Sequence, residues 1–248
     1  MESLMRLNLL LFRMPSQDRI EAIQSEVSSL EENQTWKPCC LPPGRKAMPI
    51  KWVFKKNTNA ERKVCRCKAR LVCKGFTQRE GIDFFETFAP VAKFQSIRCL
   101  IAISVYHHLK LEQMDVLTAF LNPDVEEEIY IQFPQGLEVP EEFKRGAPAL
   151  RLLKGLYGLK QAPRLWNDAV NATLHRLNFT RCNSDPCLYV RKEKSEFVII
   201  TVYVDDLILT SNSSDLLSKV KVALKENYKM TDLGELSLSR SRHLLVSE

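Results

Sequence analysis

The chain is expected to fold as an α+β domain around an antiparallel sheet, and three features of the sequence predict it. Apolar side chains recur at spacings of three and four residues in four separate segments, the mark of amphipathic helices. Runs rich in Val, Ile, Tyr and Phe lie between those segments, and two such runs are joined closely around a polar turn, as in a hairpin. With 248 residues, 45% of them hydrophobic and 27% charged, the chain can bury a substantial core.

Taken in order, Asp18 to Glu32 carries Ile20, Ile23, Val27 and Leu30 on one face and should be a helix that starts near Asp18 and ends before Trp36. Pro38 to Pro49 is Pro-rich and reads as a loop. Ile50 to Phe54 and Cys65 to Lys74 then read as two strands around a polar turn at Asn57 to Arg62, making a basic hairpin. Phe94 to His108 is apolar enough for a buried helix, and Leu111 to Val116 should be a strand with Asp115 at its end. Arg164 to Leu177 should be helical after Pro163, with Leu165, Trp166, Val170 and Leu174 inward. Cys187 to Val190 and Phe197 to Thr210 are the remaining strands. Ser214 to Tyr228 closes the pattern as a helix with Leu216, Leu217, Val220 and Leu224 on its inner side.

The formal net charge of +6 is modest, but it is unevenly distributed. Residues 44 to 79 hold twelve Lys or Arg against the single acid Glu61, and residues 144 to 164 hold six more with no acid. Residues 124 to 142 hold seven acids and no base. Basic density of this kind suits a groove for a polyanion such as nucleic acid. The eight cysteines include no Cys-x-x-Cys pair and the four histidines are not at zinc spacing, so reduced thiols in a cytosolic or nuclear, non-secreted protein are expected. The apolar run Leu7 to Phe12 is too short for a membrane span and lacks a cleavage pattern, so no membrane partner is expected.

Chemistry is suggested first by Tyr203 to Asp206, which reads YVDD between two apolar runs. Adjacent carboxylates flanked by buried strands are costly unless something compensates, and clustered Asp is most often compensated by a divalent metal, although Asp also suits a plain hairpin turn. The strand LEQMD ends in Asp115; if it lies beside the YVDD hairpin, Asp115, Asp205 and Asp206 meet at one sheet edge and can hold two Mg²⁺ ions. No Gly-rich Walker loop is present, so phosphates would have to be held by metal and by basic side chains such as Lys68 and Arg70.

The strings KARLVCKGFTQREGIDFFETFAPVAK (68 to 93), LEQMDVLTAFLN (111 to 122), LKGLYGLKQAPRLW (153 to 166), DPCLYV (185 to 190), YVDDLIL (203 to 209) and MTDLGEL (230 to 236) closely resemble the reverse transcriptase of copia-type LTR retrotransposon Pol polyproteins. The resemblance runs from about Arg19 to Leu236, with six motifs in the family's order. It implies a right-hand polymerase, with fingers from the basic hairpin and the region around Gly158, and an antiparallel palm sheet with packed helices. By the same likeness Asp115 and Asp205 ligate both Mg²⁺ ions, or Mn²⁺, with help from the Val116 carbonyl, while Asp206 supports the site. Lys68 and Arg70 would hold an incoming dNTP, Gly158 and Gln161 would shape the nucleotide and template pocket, and Phe120 would be an aromatic gate under the sugar or simply a core ring. Partners implied are an RNA or DNA primer-template, dNTP and the remaining Pol segments, in the cytoplasm within a virus-like particle or in the nucleus.

This sequence departs from the family at Leu117, usually Lys, and Pro123, usually Gly, neither of them a ligand. After MTDLGEL it reads SLSRSRHLLVSE where the family continues into a Phe-Leu-Gly primer-grip strand. The expected organisation is therefore a non-family extension at residues 1 to 16, fingers and palm over 17 to 236, and a divergent tail over 237 to 248, with the thumb missing. Two functions stay open: an RNA-directed DNA polymerase, and an inactive truncated remnant that retains nucleic-acid binding only.

Overall fold

The structure, a computed structural model, describes residues 17–58 and 64–236. The expected extension and tail, and residues 59–62 of the hairpin turn expected at Asn57 to Arg62, lie outside the described residues, while Asn57 and Thr58 of that turn lie in a strand instead. In chain order the elements are α1 (Gln17–Glu32), β1 (Trp36–Cys40), β2 (Ile50–Thr58), β3 (Val64–Cys73), α2 (Phe94–Tyr106), β4 (Lys110–Val116), β5 (Tyr130–Ile131), β6 (Pro148–Leu152), α3 (Ala162–Arg176), β7 (Thr180–Arg181), β8 (Leu188–Glu193), β9 (Glu196–Tyr203), β10 (Asp206–Ser211), α4 (Ser214–Asn227) and β11 (Met230–Glu235). They form two units: the described residues of Met1–Thr87 with Phe120–Leu165, and those of Phe88–Ala119 with Trp166–Glu248. Mixed helix and antiparallel sheet is the expected α+β class.

In the first unit, α1 buries Ile23, Val27 and Leu30 of the expected stripe, with Ala22 in place of the half-buried Ile20, together with Leu71 and Cys73 of β3. Each fully buried leucine there is worth roughly 2 kcal/mol relative to exposure. Strands β2 and β3 pair antiparallel as the basic hairpin, with Val53 opposite Arg70 and Lys55 opposite Lys68. The loop expected from Pro38 to Pro49 is corrected at its start: Trp36 to Cys40 is a strand, paired antiparallel with β6 in a three-stranded sheet of order β1-β6-β5. Pro38 is tolerated because β1 is an edge strand, where a missing N–H leaves no partner unsatisfied.

The second unit is a six-stranded antiparallel sheet of order β11-β4-β10-β9-β8-β7. Helices cover both faces. Ser104 of α2 donates to Thr210 Oγ1 at 3.1 Å on one face, while Lys221 of α4 pairs with Glu112, opposite Leu209, on the other. α4 starts at a Ser213 cap whose side chain accepts the N–H of Leu216. α3 starts at Ala162, so Pro163 lies within the first turn rather than before the helix, where its missing N–H has no helical partner to lose.

Candidate active site

The carboxylates of the YVDD turn are placed by strand register. In the second unit Asp206 is the first residue of β10 and stands directly opposite Asp115 of β4, so both side chains emerge on one face of the sheet. Asp205 occupies the β9–β10 turn, and its carbonyl accepts the N–H of Val116 at 2.8 Å. Asp115, Val116, Asp205 and Asp206 therefore share one end of two neighbouring strands, as expected from their positions at strand ends. The turn is tightly held: Val204 has a φ of 57°, which a β-branched residue seldom adopts, and its carbonyl accepts the indole N–H of Trp166 at 2.5 Å.

Asp206 is 9% exposed, and its Oδ1 accepts a hydrogen bond from Gln113 Nε2 at 2.7 Å. Gln113 precedes Asp115 by two residues on β4 and so lies on the same face. The donor set, three carboxylates at one strand end, has the hard oxygens that Mg²⁺ prefers. Among the described residues no group of three or more His, Cys, Asp or Glu side chains is gathered closely enough to hold a metal ion. The backbone thus converges, and the carboxylate side chains do not close into a cage.

The other expected residues lie in the first unit. Lys68 and Arg70 are both exposed and two residues apart on β3, so they share a face of the hairpin. The Arg70 guanidinium lies over the ring of Tyr157, 4.7 Å from its centroid. That ring also meets Phe120 edge to face, with centroids 5.2 Å apart and planes at 76°. Phe120 is half-buried and packs against the core of this unit.

Gly158 has a φ of +87°, and a Cβ on it would fall 2.1 Å from the Cys73 carbonyl oxygen. A Cβ on Gly75 would likewise meet the Gly158 carbonyl oxygen at 2.0 Å, so two backbones touch where only glycine fits. Gln161 is 1% exposed. Its Nε2 donates to the Asp83 carbonyl at 2.9 Å and its Oε1 accepts from Gln78 Nε2 at 2.9 Å. Gln161 therefore ties residues 78 and 83 to the start of α3.

Sequence reasoning did not single out Tyr157, Gln113 or the role of Asp185. Asp185, in the string DPCLYV, accepts the N–H groups of Lys93 and Cys187 at 3.0 and 2.9 Å, joining the start of α2 to the start of β8. Burial alone would raise its carboxyl pKa, but hydrogen bonds from the Ser96 side chain and from those two N–H groups outweigh burial and hold it below the ordinary carboxylate value.

Comparison with known proteins matches residues 33–240 to the family described as reverse transcriptase (RNA-dependent DNA polymerase). The retrovirus-related Pol polyprotein from transposon TNT 1-94 of Nicotiana tabacum is 41% identical over 216 residues, 87% of this chain and 16% of the relative. Those from transposons RE2 and RE1 of Arabidopsis thaliana are each 35% identical over 87% of this chain, and 15% and 14% of the relatives. The chain thus spans about one-sixth of the length of these Pol polyproteins.

Proposed function

Because the chain belongs to the reverse transcriptase family, in the form found in retrotransposon Pol polyproteins, we propose that it acts as an RNA-directed DNA polymerase domain with a right-hand arrangement of fingers and palm. The observation that carries this reading is the register that sets Asp115 opposite Asp206, beside Asp205, at one end of an antiparallel sheet. Reaction would be attack of a primer 3′-hydroxyl, losing its proton, on the α-phosphate of a dNTP, with the α–β phosphoanhydride bond broken and pyrophosphate leaving. Asp115 and Asp205 would hold Mg²⁺, or Mn²⁺ in its place, with the Val116 carbonyl alongside; the bound ions supply hydroxyl activation and neutralisation of the triphosphate.

The chain's own residues carry the rest. Asp206, oriented by Gln113, supports the strand end and leaves Asp115 and Asp205 as the ligands. Lys68 and Arg70 bind the triphosphate, the first as a mobile point charge and the second as a planar fork. Phe120 lies under the sugar and rejects a 2′-hydroxyl by steric clash. Primer-template and the remaining Pol segments are the proposed partners, in a cytoplasmic particle or the nucleus. No helix among the described residues is long and apolar enough to cross a membrane.

The test is extension of a labelled oligo(dT) primer on poly(rA) by the purified chain, with Mg²⁺ and then Mn²⁺. Metal-dependent extension that requires dTTP is the expected result. Retention of primer-template with no extension in either metal would replace this reading with that of an inactive remnant that binds nucleic acid.

A further inference from the structure

We infer that Tyr157 is a positioning residue that fixes both Arg70 and Phe120, and through them sets nucleotide affinity and the choice between deoxyribose and ribose. The inference rests on the polymerase reading above and deepens it. Its basis is a three-member stack within one unit: guanidinium over ring at 4.7 Å, and ring against ring edge to face at 5.2 Å. Tyr157 is the shared member, and Arg70 and Phe120 lie in segments far apart in sequence.

The backbone under Tyr157 is anchored on both sides. Its carbonyl accepts the N–H of Cys73 at 2.8 Å, three residues beyond Arg70 along the same chain segment. Two residues earlier, a Cβ on Gly155 would come within 2.3 Å of the Phe120 carbonyl oxygen, so the two backbones are in contact there as well. Gly158 also lies against Cys73, so the backbone that carries the ring is held at both of these glycines. An arginine on an exposed strand otherwise samples many rotamers, and a ring face beneath it confines the guanidinium while leaving its edge N–H groups directed outward for phosphate oxygens. The edge-to-face contact does the same for Phe120, since turning that ring would lose the preferred quadrupole geometry. A sugar gate works only if its ring holds still, so removing Tyr157 should loosen the discrimination that Phe120 imposes.

The experiment measures binding of dTTP and of UTP to the full chain with a dideoxy-terminated oligo(dT) primer on poly(rA) and Mg²⁺, so no turnover is needed. In Tyr157→Leu the dTTP dissociation constant should rise about fivefold, the scale of one lost cation–π contact. Preference for dTTP over UTP should fall by about a further fivefold, the scale of one lost aromatic pair. Tyr157→Phe, which keeps the ring, should recover both values. In the Phe120→Val background, Tyr157→Leu should cost no additional discrimination, because it acts through that ring. Should Tyr157→Leu lose its cooperative thermal transition, Tyr157→Met, which fills the space without a ring, takes its place. Parent-like values in the ringless variant, or equal weakening of dTTP and UTP, overturn the inference while leaving the polymerase reading intact. A parent chain that binds neither nucleotide overturns that reading, and the inference with it.

Discussion

The two units handle charge in opposite ways. In the first, Lys68 and Arg70 stay in solvent, and Arg70 lies over a ring with the charge of the Glu26 carboxylate nearby. In the second, Asp206 and Asp185 are nearly excluded from solvent and each is held by N–H donors. An exposed cation on a ring is worth about 0.5 to 1 kcal/mol, so it can be released to a ligand cheaply. A desolvated carboxylate left without donors costs several kcal/mol, so its donors cannot be removed without cost to the fold. Under the proposed function, the loosely held cations would grip a mobile ligand, while the carboxylates built into the sheet would stay put.

The contrast can be broken most severely at backbone contacts, where the first unit is as unforgiving as the second. Gly158→Ala places a Cβ 2.1 Å from a carbonyl oxygen at a positive φ, and should destabilise the chain by about 3 kcal/mol in denaturant unfolding. A smaller loss, about 2 kcal/mol, is expected for Asp185→Asn, which keeps the shape but turns an acceptor of several N–H groups into a half-acceptor. Its pH dependence sharpens the point. The folded Asp185 carboxyl titrates below its ordinary value, so its contribution is fully present above about pH 4 and is lost as pH falls through the lower folded value. Thermal unfolding of the parent should therefore weaken more steeply than that of Asp185→Asn as pH falls below about 4. By contrast Arg70→Gln should change unfolding by only about 0.5 to 1 kcal/mol, because what is lost is a solvent-exposed ring contact and a screened attraction to Glu26.

Legibility in the sequence depended on element length and on whether the decisive contacts are local in the chain. The helices could be read because their apolar spacing is sustained, and the YVDD carboxylates because charge between apolar runs is conspicuous. Strands β5 and β7 have two residues each, too short for alternation to show, and β1 is masked by Pro38. Gln113 looks like any outward polar residue in an alternating strand until register puts Asp206 diagonally across from it. Its position two residues before Asp115, on the same strand face, was the available signal. Tyr157 lies in the apolar run LYGL and gave no such signal, since the contacts that matter come from Arg70 and Phe120, distant in the chain.

The proposed roles, Asp115 in the chemistry and Arg70 in nucleotide affinity, are tested most directly by steady-state primer extension with Asp115→Asn and Arg70→Gln side by side. Asp115→Asn should lower kcat by about a thousandfold with little change in dNTP affinity. Arg70→Gln should raise the dNTP KM about tenfold and leave binding of primer-template unchanged. The opposite split, with Asp115→Asn acting only on KM or Arg70→Gln abolishing template binding at unchanged dNTP KM, would contradict the division of labour drawn here.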